Sequence, residues 1–371
     1  MNPLLDVTAE YQRYGLLAFI ATVFATPLAI QVARRTGVMD YPDTFLKPHA
    51  KPTPYLGGTA ICLGWALALS WAIAAGAVDW RLLLPILLGG LAISIIGLVD
   101  DVRDISPRVR LLGGALVIGA VVLTTGAGLK LVDSVFEPAG ILFPRWIALP
   151  ASFALSVVVV LGACHSTNLI DGLDGLCTGV TAIISFGFCV LAAYLAVCEY
   201  SQMGDPVRLV LAIAMLGAAM GFLPFNFKPA KIFMGDAGST LLGFNCGMLI
   251  LLFAERSVVR WVIAALMIFA LPVFDTALAM FRRWRSGRSI FAGDRSHFYD
   301  QLVQRGLTVR QSVLVCYLLA VFFGAVGLLS ILVRTRYTII IYVGVCLATA
   351  LVAWRTGLTH PEQRENGTNA G

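Results

Sequence analysis

The sequence predicts an all-α integral membrane protein with about eleven transmembrane helices, its N-terminus outside the cell and its C-terminus in the cytoplasm. Three observations carry that prediction. Of the 371 residues, 58% are hydrophobic and 13% charged, with a mean hydropathy of +0.85. A soluble domain runs to roughly 45–50% apolar and about 25% charged, so the excess and the deficit together place the chain in the membrane class. The apolar residues are gathered into runs of bilayer-crossing length, which takes about 20 residues of helix. The basic residues, 27 Lys and Arg against 21 Asp and Glu, flank those runs unevenly.

In chain order the runs are 15–33, 55–78, 82–99, 109–126, 147–165, 177–198, 207–224, 237–254, 257–276, 312–333 and 336–354. The first follows Asp6, Glu10 and Arg13 rather than a basic leader, and no small-residue cleavage site comes soon after, so it is expected to remain as a span. The third and fourth are short, and the eighth and ninth nearly touch. Segment 127–146, with irregular alternation and a Pro-Ala-Gly turn signal, is read as a short hairpin without function. No gap accommodates a soluble domain, so residues 1–354 are expected to form a single polytopic membrane domain. Residues 355–371, polar and ending NGTNAG, are expected to be a disordered cytoplasmic tail. The 36 glycines suit this class, because small residues let membrane helices approach closely.

Eleven spans put the termini on opposite sides. The connections 34–54, 100–108, 166–176, 225–236 and 277–311, with the tail, share one face, which carries twice as many Lys and Arg as the other. The positive-inside rule makes that face cytoplasmic. The net charge of +6 is therefore topogenic, and nucleic acid is not an expected partner. The eight cysteines are scattered, mostly within apolar runs, and contain no C-x-x-C, so they read as small packing residues. The absence of a visible internal duplication argues against a transporter built from inverted repeats.

Acidic residues are scarce, so their positions inform. Four polar clusters fall on the predicted cytoplasmic face and none on the other. Asp100, Asp101 and Asp104 end the third span, where carboxylates oppose the helix macrodipole and repel one another, an arrangement suited to handling a cation or a proton. If that helix continues one turn, Asp104 shares a face with the pair. Asn168, Asp171 and Asp174 in STNLIDGLDGLCTG recur every three residues and converge their oxygens, which suits Mg²⁺ or a ribose and base. In FNFKPAKIFMGDAGST, Asp236 stands before the eighth span as a natural N-cap, and the helix N-terminus there is expected to welcome phosphate oxygens, with Lys228 and Lys231 adding charge. The loop RRWRSGRSIFAGDRSHFYDQL mixes Arg288, Arg295 and His297 with Asp294, Tyr299 and Asp300. Each cluster alone has a bland explanation: a solvated helix end, a cap, or a basic loop on anionic lipid. Together they hold what a Mg²⁺–diphosphate site needs: carboxylates, an amide, helix N-termini and arginines.

These motifs resemble those of the polyprenyl-phosphate N-acetylhexosamine-1-phosphate transferases, relatives of the phospho-MurNAc-pentapeptide transferase and the dolichyl-phosphate GlcNAc-1-phosphate transferase. Asp100-Asp101-x-x-Asp104-Ile-Ser resembles the paired-aspartate motif, Asn168-x-x-Asp171-Gly-x-Asp174-Gly the N-x-x-D-G-x-D-G motif, and Phe233-Met234-Gly235-Asp236-x-Gly238-Ser239 the F-M-G-D-x-G-S motif. Residues 47–58, KPHAKPTPYLGG, resemble the stretch after the family's first span, and Pro272-x-x-Asp275-Thr276 with Arg282, Gly287-Arg288-Ser289 and Asp294-Arg295 follows its last cytoplasmic loop. The resemblance runs from Asp40 to about Thr308. Three positions depart from it. Leu46 precedes Lys47 where Arg is usual, and His165 stands where Asn is usual. His297-Phe298-Tyr299-Asp300 replaces H-I-H-H, a form closer to transferases of 6-deoxy sugars.

The resemblance implies transfer of a sugar 1-phosphate, most simply N-acetylglucosamine 1-phosphate, from a UDP-amino sugar to undecaprenyl phosphate with release of UMP, at the cytoplasmic face of a bacterial inner membrane. It implies Asp100 and Asp101 as catalytic, with Asp100 favoured as base, and Asp236 and Asn168 as ligands of Mg²⁺ or alternatively Mn²⁺. It further implies Asp171, Asp174, Asn226, Arg288, Arg295 and His297 at the nucleotide and sugar phosphate, and Lys47 and His49 at the lipid phosphate. A homodimer is admitted, and the lipid is expected to enter by a groove near the third and ninth spans. Two rivals remain. A phosphatidyl-alcohol-type transferase wants Ala-Arg after its Asp-Gly, where this chain has Leu176-Cys177-Thr178. A secondary transporter places its charges near the bilayer midplane, whereas these stand at span ends.

Overall fold

A computed structural model describes residues 3–41, 52–103, 105–137, 140–198, 204–254, 258–287 and 297–359. Its helices are α1 (Pro3–Thr36), α2 (Gly57–Ala74), α3 (Trp80–Arg103), α4 (Pro107–Thr125), α5 (Leu131–Phe136), α6 (Arg145–Leu169), α7 (Leu176–Cys198), α8 (Gly204–Asn226), α9 (Gly235–Ala254), α10 (Val259–Ile268), α11 (Ala270–Arg285), α12 (Phe298–Gln304), α13 (Val309–Ser330) and α14 (Thr335–Arg355). Among the described residues, ten are long and apolar enough to cross a membrane, and α10 with α11 makes an eleventh if that bent pair is one span. The strands β1 (Met39–Asp40) and β2 (Thr53–Pro54) form one short antiparallel ladder. The outer surface is studded with exposed Leu116, Trp146, Leu318 and Leu347, which only a hydrocarbon solvent tolerates at this density.

Helix α9 is the axis of the bundle, buried along its whole length and packed by α2, α3 and α6. Its small residues make that possible. A Cβ on Gly243 would lie 2.5 Å from the Ala163 carbonyl oxygen, and one on Gly247 would lie 2.8 Å from the Val160 Cα, so α6 and α9 touch backbone to backbone. Gly97 does the same for α3, its missing Cβ falling 2.6 Å from the Asp236 carbonyl. Both ends of α9 are tied by charge from elsewhere in the chain. Asp101 accepts from the first-turn amides, and Arg208 Nε donates to the Leu252 carbonyl at 3.0 Å. Each charge complements the helix dipole.

The ninth span is broken. Helices α10 and α11 meet at 72° around Phe269. Pro272 has no N–H to offer the Ile268 carbonyl, which favours a break there. Helix α11 therefore departs from the bundle axis on the side where α3, α6 and α8 end and α4, α7 and α9 begin.

Several expectations change. Segment 127–146 is no hairpin: its centre is the helix α5, because Leu131 and Val132 are both buried and a helical turn lets both pack. The third span is a full 24 residues, and α1 starts at Pro3, well before residue 15. The chain beyond α14 stays attached as far as residue 359: the Leu358 carbonyl accepts from Arg282 Nη1 at 3.0 Å and the Thr356 carbonyl from Arg305 Nη2 at 2.8 Å. Residues 360–371 lie outside the described residues.

Candidate functional site

Four helix ends meet at one spot. Helix α3 ends at Arg103; Ser106 then caps α4, its hydroxyl accepting from the Val109 amide, and Pro107 occupies the first helical position. The tight reversal turns Arg110, in the first turn of α4, back onto the end of α3. Its Nη1 bonds Asp100 Oδ2 and, at 2.8 Å, Asp236 Oδ2. The other Asp100 oxygen accepts from the Ile105 amide at 3.0 Å. From the end of α6, Asn168 Nδ2 donates to Asp236 Oδ1 at 2.7 Å and to Ser239 Oγ at 3.0 Å. Asp100, Asp101, Asn168 and Asp236 are thus within one hydrogen-bonded network, though they come from segments up to 136 positions apart.

The paired aspartates do different work. Asp101 Oδ1 accepts from the Asp236 amide at 2.8 Å and Oδ2 from the Ala237 amide at 3.1 Å. This corrects two readings. Asp236 is not the cap of its own helix: Asp101 caps α9 across the bundle, which frees the Asp236 carboxylate to face Asn168 and Arg110. Those two amides of the α9 N-terminus are also already spent on Asp101 and cannot receive phosphate oxygens. Gly235, at φ +71°, makes the turn, and a Cβ there would lie 2.6 Å from Asp101 Oδ2.

The loop between α6 and α7 supplies the rest. The Asp171 carboxylate meets no hydrogen-bond or ion-pair partner among the described residues. Its carboxyl is pushed well above the ordinary carboxylate range, first by burial and then by the charges of Asp236, Asp101 and Asp174. An acid so placed gains from any cation brought to it. Asp174 is partly engaged, accepting from the Ala230 amide at 3.0 Å with Lys228 Nζ 3.4 Å away. Asn226 is only 2% exposed and bonded at both ends of its amide, to Gly175 N, Thr178 Oγ1 and the Ile232 carbonyl. It ties the α6–α7 loop and the start of α7 to the α8–α9 loop.

His297 is 4% exposed, with Nδ1 2.7 Å from Asp275 Oδ2; the other Asp275 oxygen accepts from the Phe298 amide at 2.7 Å. Tyr299 stacks on the His297 ring at 5.5 Å and donates to the Leu169 carbonyl at 2.8 Å. The helix α12 is thereby pinned to the Asp171 loop. Lys47, His49, Asp104, Arg288 and Arg295 lie outside the described residues.

Sequence reasoning passed over Arg110, and it named Tyr55, Asp275 and Tyr299 only within motifs, without a role. Arg110 carried a signal: a cation in the first turn of a helix opposes the dipole, so it asks for an acid nearby. Tyr55 follows β2, where the 233–234 backbone docks: Phe233 N donates to the Pro54 carbonyl and Gly57 N to the Phe233 carbonyl, both at 2.9 Å. Its phenol is pushed far up, by burial first and then by Asp101, Asp236 and Asp171, and so stays a neutral donor beside the acids.

Among the described residues no three His, Cys, Asp or Glu side chains form a closed metal shell. Mg²⁺ does not need such a shell, since it takes one or two carboxylates and completes its octahedron with water and substrate phosphates. Asp236 and the Asn168 carbonyl oxygen, which accepts no bond in this network, are an oxygen set of that size.

The profile for glycosyl transferase family 4 matches residues 83–254. A probable undecaprenyl-phosphate N-acetylglucosaminyl 1-phosphate transferase from Bacillus subtilis (strain 168) is 32% identical over 314 residues, covering 83% of this chain and 82% of its own length. The undecaprenyl-phosphate alpha-N-acetylglucosaminyl 1-phosphate transferase of Escherichia coli (strain K12) is 30% identical, covering 84% and 82%. The decaprenyl-phosphate N-acetylglucosaminephosphotransferase of Mycobacterium tuberculosis (strain ATCC 25618 / H37Rv) is 30% identical, covering 90% and 86%.

Proposed function

The chain belongs to glycosyl transferase family 4, among the polyprenyl-phosphate N-acetylglucosamine-1-phosphate transferases, and from that membership we infer its reaction. It is a multi-pass membrane enzyme that transfers N-acetylglucosamine 1-phosphate from a UDP-linked donor to a polyprenyl phosphate and releases UMP. An oxygen of the lipid phosphate forms a bond to the sugar-bearing phosphorus, and the bond from that phosphorus to the UMP oxygen breaks. The observation that carries the site assignment is the network of Asp100, Asp101, Asn168, Asp236 and Arg110 at the helix ends, with the unpartnered Asp171 beside it.

A phosphate monoester is already largely ionised near neutral pH, so the acceptor asks little of a base. Asp100 and Arg110 serve to orient, Arg110 offsetting the repulsion between two phosphate-bearing substrates. Asp101 holds the α9 N-terminus and so fixes Asp236. A divalent cation, Mg²⁺ or in its place Mn²⁺, would be held by Asp236 and Asn168, and when bound supplies charge neutralisation at the diphosphate. Asp171 borders the donor from the loop that Asn226 and Asp174 stabilise, and His297 meets the sugar phosphate, its ring set by Asp275. Undecaprenyl phosphate is the acceptor, in the inner membrane of a bacterium, with the site open to the cytoplasm.

A 6-deoxy sugar is the second reading for the donor. The stretch His297-Phe298-Tyr299-Asp300 favours it, being closer to the form in transferases of 6-deoxy sugars.

The test is membranes carrying the protein, given labelled UDP-N-acetylglucosamine. Label should enter an organic-soluble product, with loss under chelation and recovery on adding Mg²⁺. A panel of UDP-amino sugars read by product mass spectrometry assigns the donor. No lipid-linked product from any of them overturns the reading.

A further inference from the structure

The broken span leaves a crevice with two chemically different ends. Helix α11 turns away from the bundle and lies beside the last turns of α14, and between them is a cavity of 570 Å³, within the ~300–1,000 Å³ of ligand pockets. Its walls are Phe274, Ala277 and Phe281 on one side and Ala350 and Trp354 on the other. At the polar end stand Arg285 and Thr359. Arg285 is exposed and makes no hydrogen bond or ion pair among the described residues. Thr359 is 7% exposed, and its buried hydroxyl has no partner there either. Buried hydroxyls ordinarily have one, so this group is waiting for an acceptor.

The depth of the crevice identifies the solvent it opens to. Trp284 and Trp354 are both exposed beside Arg285 and Arg355, the residue types that mark the level of lipid head groups. A ligand here has hydrocarbon between the helices and an anionic, oxygen-rich group at Arg285 and Thr359. Basic pockets between membrane helices take phospholipid head groups in this way.

We propose that the α11–α14 crevice binds one anionic phospholipid of the surrounding bilayer, an acyl chain against Ala277 and Ala350 and its phosphate on Arg285 and the Thr359 hydroxyl. The occupant is not the reacting polyprenyl phosphate. No residue of α3, α4, α6 or α9 lines the crevice, so a phosphate at Arg285 touches none of Asp100, Arg110, Asn168 or Asp236. The lipid still bears on the reaction. It braces the face of α11 next to Asp275, which orients His297.

The test reads lipid retention, not turnover, so it stands whether or not the assigned reaction is right. Purified full-length protein is titrated with palmitoyl-oleoyl phosphatidylglycerol, the phosphatidylcholine of the same chains, and undecaprenyl phosphate, and adducts are counted by native mass spectrometry. One phosphatidylglycerol should be retained in preference to phosphatidylcholine. Arg285→Ala and Thr359→Val should each reduce that preference about five-fold, and Ala277→Trp should expel lipid of either head group. Arg285 is on the surface, so its variant serves even if Ala277→Trp fails to fold. Equal retention of the two phospholipids, an Arg285→Ala protein that keeps the preference, or one-for-one displacement by undecaprenyl phosphate overturns the proposal.

Discussion

Replacing Asp101 by Asn separates a structural carboxylate from a chemical one. In the wild type both oxygens accept main-chain amides of α9, from Asp236 at 2.8 Å and Ala237 at 3.1 Å. Asn offers one oxygen and turns an NH₂ toward the other amide, so one charge-assisted bond is lost, worth about 1.5–3 kcal/mol. The negative charge at a helix N-terminus goes with it, worth about 0.3–2 kcal/mol depending on burial. The expected destabilisation is therefore roughly 2–5 kcal/mol. The same change lets the first turn of α9 drift, and with it the Asp236 carboxylate, so kcat/KM should fall by at least about ten-fold. Detergent-solubilised protein is followed by its melting temperature and by kcat/KM across pH. The reasoning requires a lower melting temperature and a loss that pH does not rescue. A variant that melts with the wild type and regains activity as pH rises would make Asp101 the proton acceptor and refute the cap.

Other changes discriminate further roles. Asp171→Asn should stabilise the metal-free protein while lowering activity. The raised native pKa means that the folded state holds this proton where the unfolded state has released it, so wild-type stability falls as pH climbs from the ordinary carboxylate value through the raised one; melting temperatures against pH should lose that slope in the variant. Arg110→Ala removes the cation shared by Asp100 and Asp236 and should cost about 2–5 kcal/mol in transition-state stabilisation, read as kcat/KM, with Arg110→Lys recovering part. Tyr299→Phe removes the bond to the Leu169 carbonyl, worth about 0.5–1.5 kcal/mol, and should raise KM for the nucleotide sugar more than it lowers kcat. Arg208→Met takes away the buried partner of the Leu252 carbonyl at the far end of α9; it should lower the melting temperature and leave KM for both substrates unchanged.

The spans were readable because hydrocarbon length and composition are local properties of sequence. So was the clustering of acids at span ends. What could not be read is which acid serves which neighbour. Asp101 and Asp236 look alike in sequence, each an acid at a helix end, and propensity alone assigns the cap of α9 to Asp236. The structure gives it to Asp101, 135 positions away, because Gly97 lets α3 press against the α9 backbone. Arg110 was hidden for a related reason. Its role depends on the reversal at Ser106-Pro107, not on any spacing motif. Segment 127–146 was misread because its irregular alternation suggested strands, whereas the adjacent buried pair Leu131 and Val132 suits a helix. Among the described residues, apolar cavities lie between α11, the second half of the ninth span, and α14, and among α7, α8 and α13.

The charge at the reaction centre then decides what the substrates must bring. Asp100, Asp101, Asp171 and Asp236 are four acids in mutual reach, and Arg110 is the described cation bonded among them. Among the described residues, protein charge alone does not balance two anionic substrates, a diphosphate and a phosphate monoester. Asp101 is spent on the α9 amides, and Asp100 and Asp236 share Arg110, so the deficit is felt most at Asp171. Asn168, whose amide nitrogen already bonds Asp236, keeps its carbonyl oxygen unspent. Positive charge arriving with the donor diphosphate relieves the acids and the phosphates at once, whereas a bare diphosphate would be repelled by both. The donor and a divalent cation should therefore bind with positive coupling. Titrating each in the presence and absence of the other, by calorimetry, should show each tightening its partner by the same factor in the wild type and by a much smaller one in Asp171→Asn. Independent binding of the two would mean that these carboxylates face something other than a metal–diphosphate.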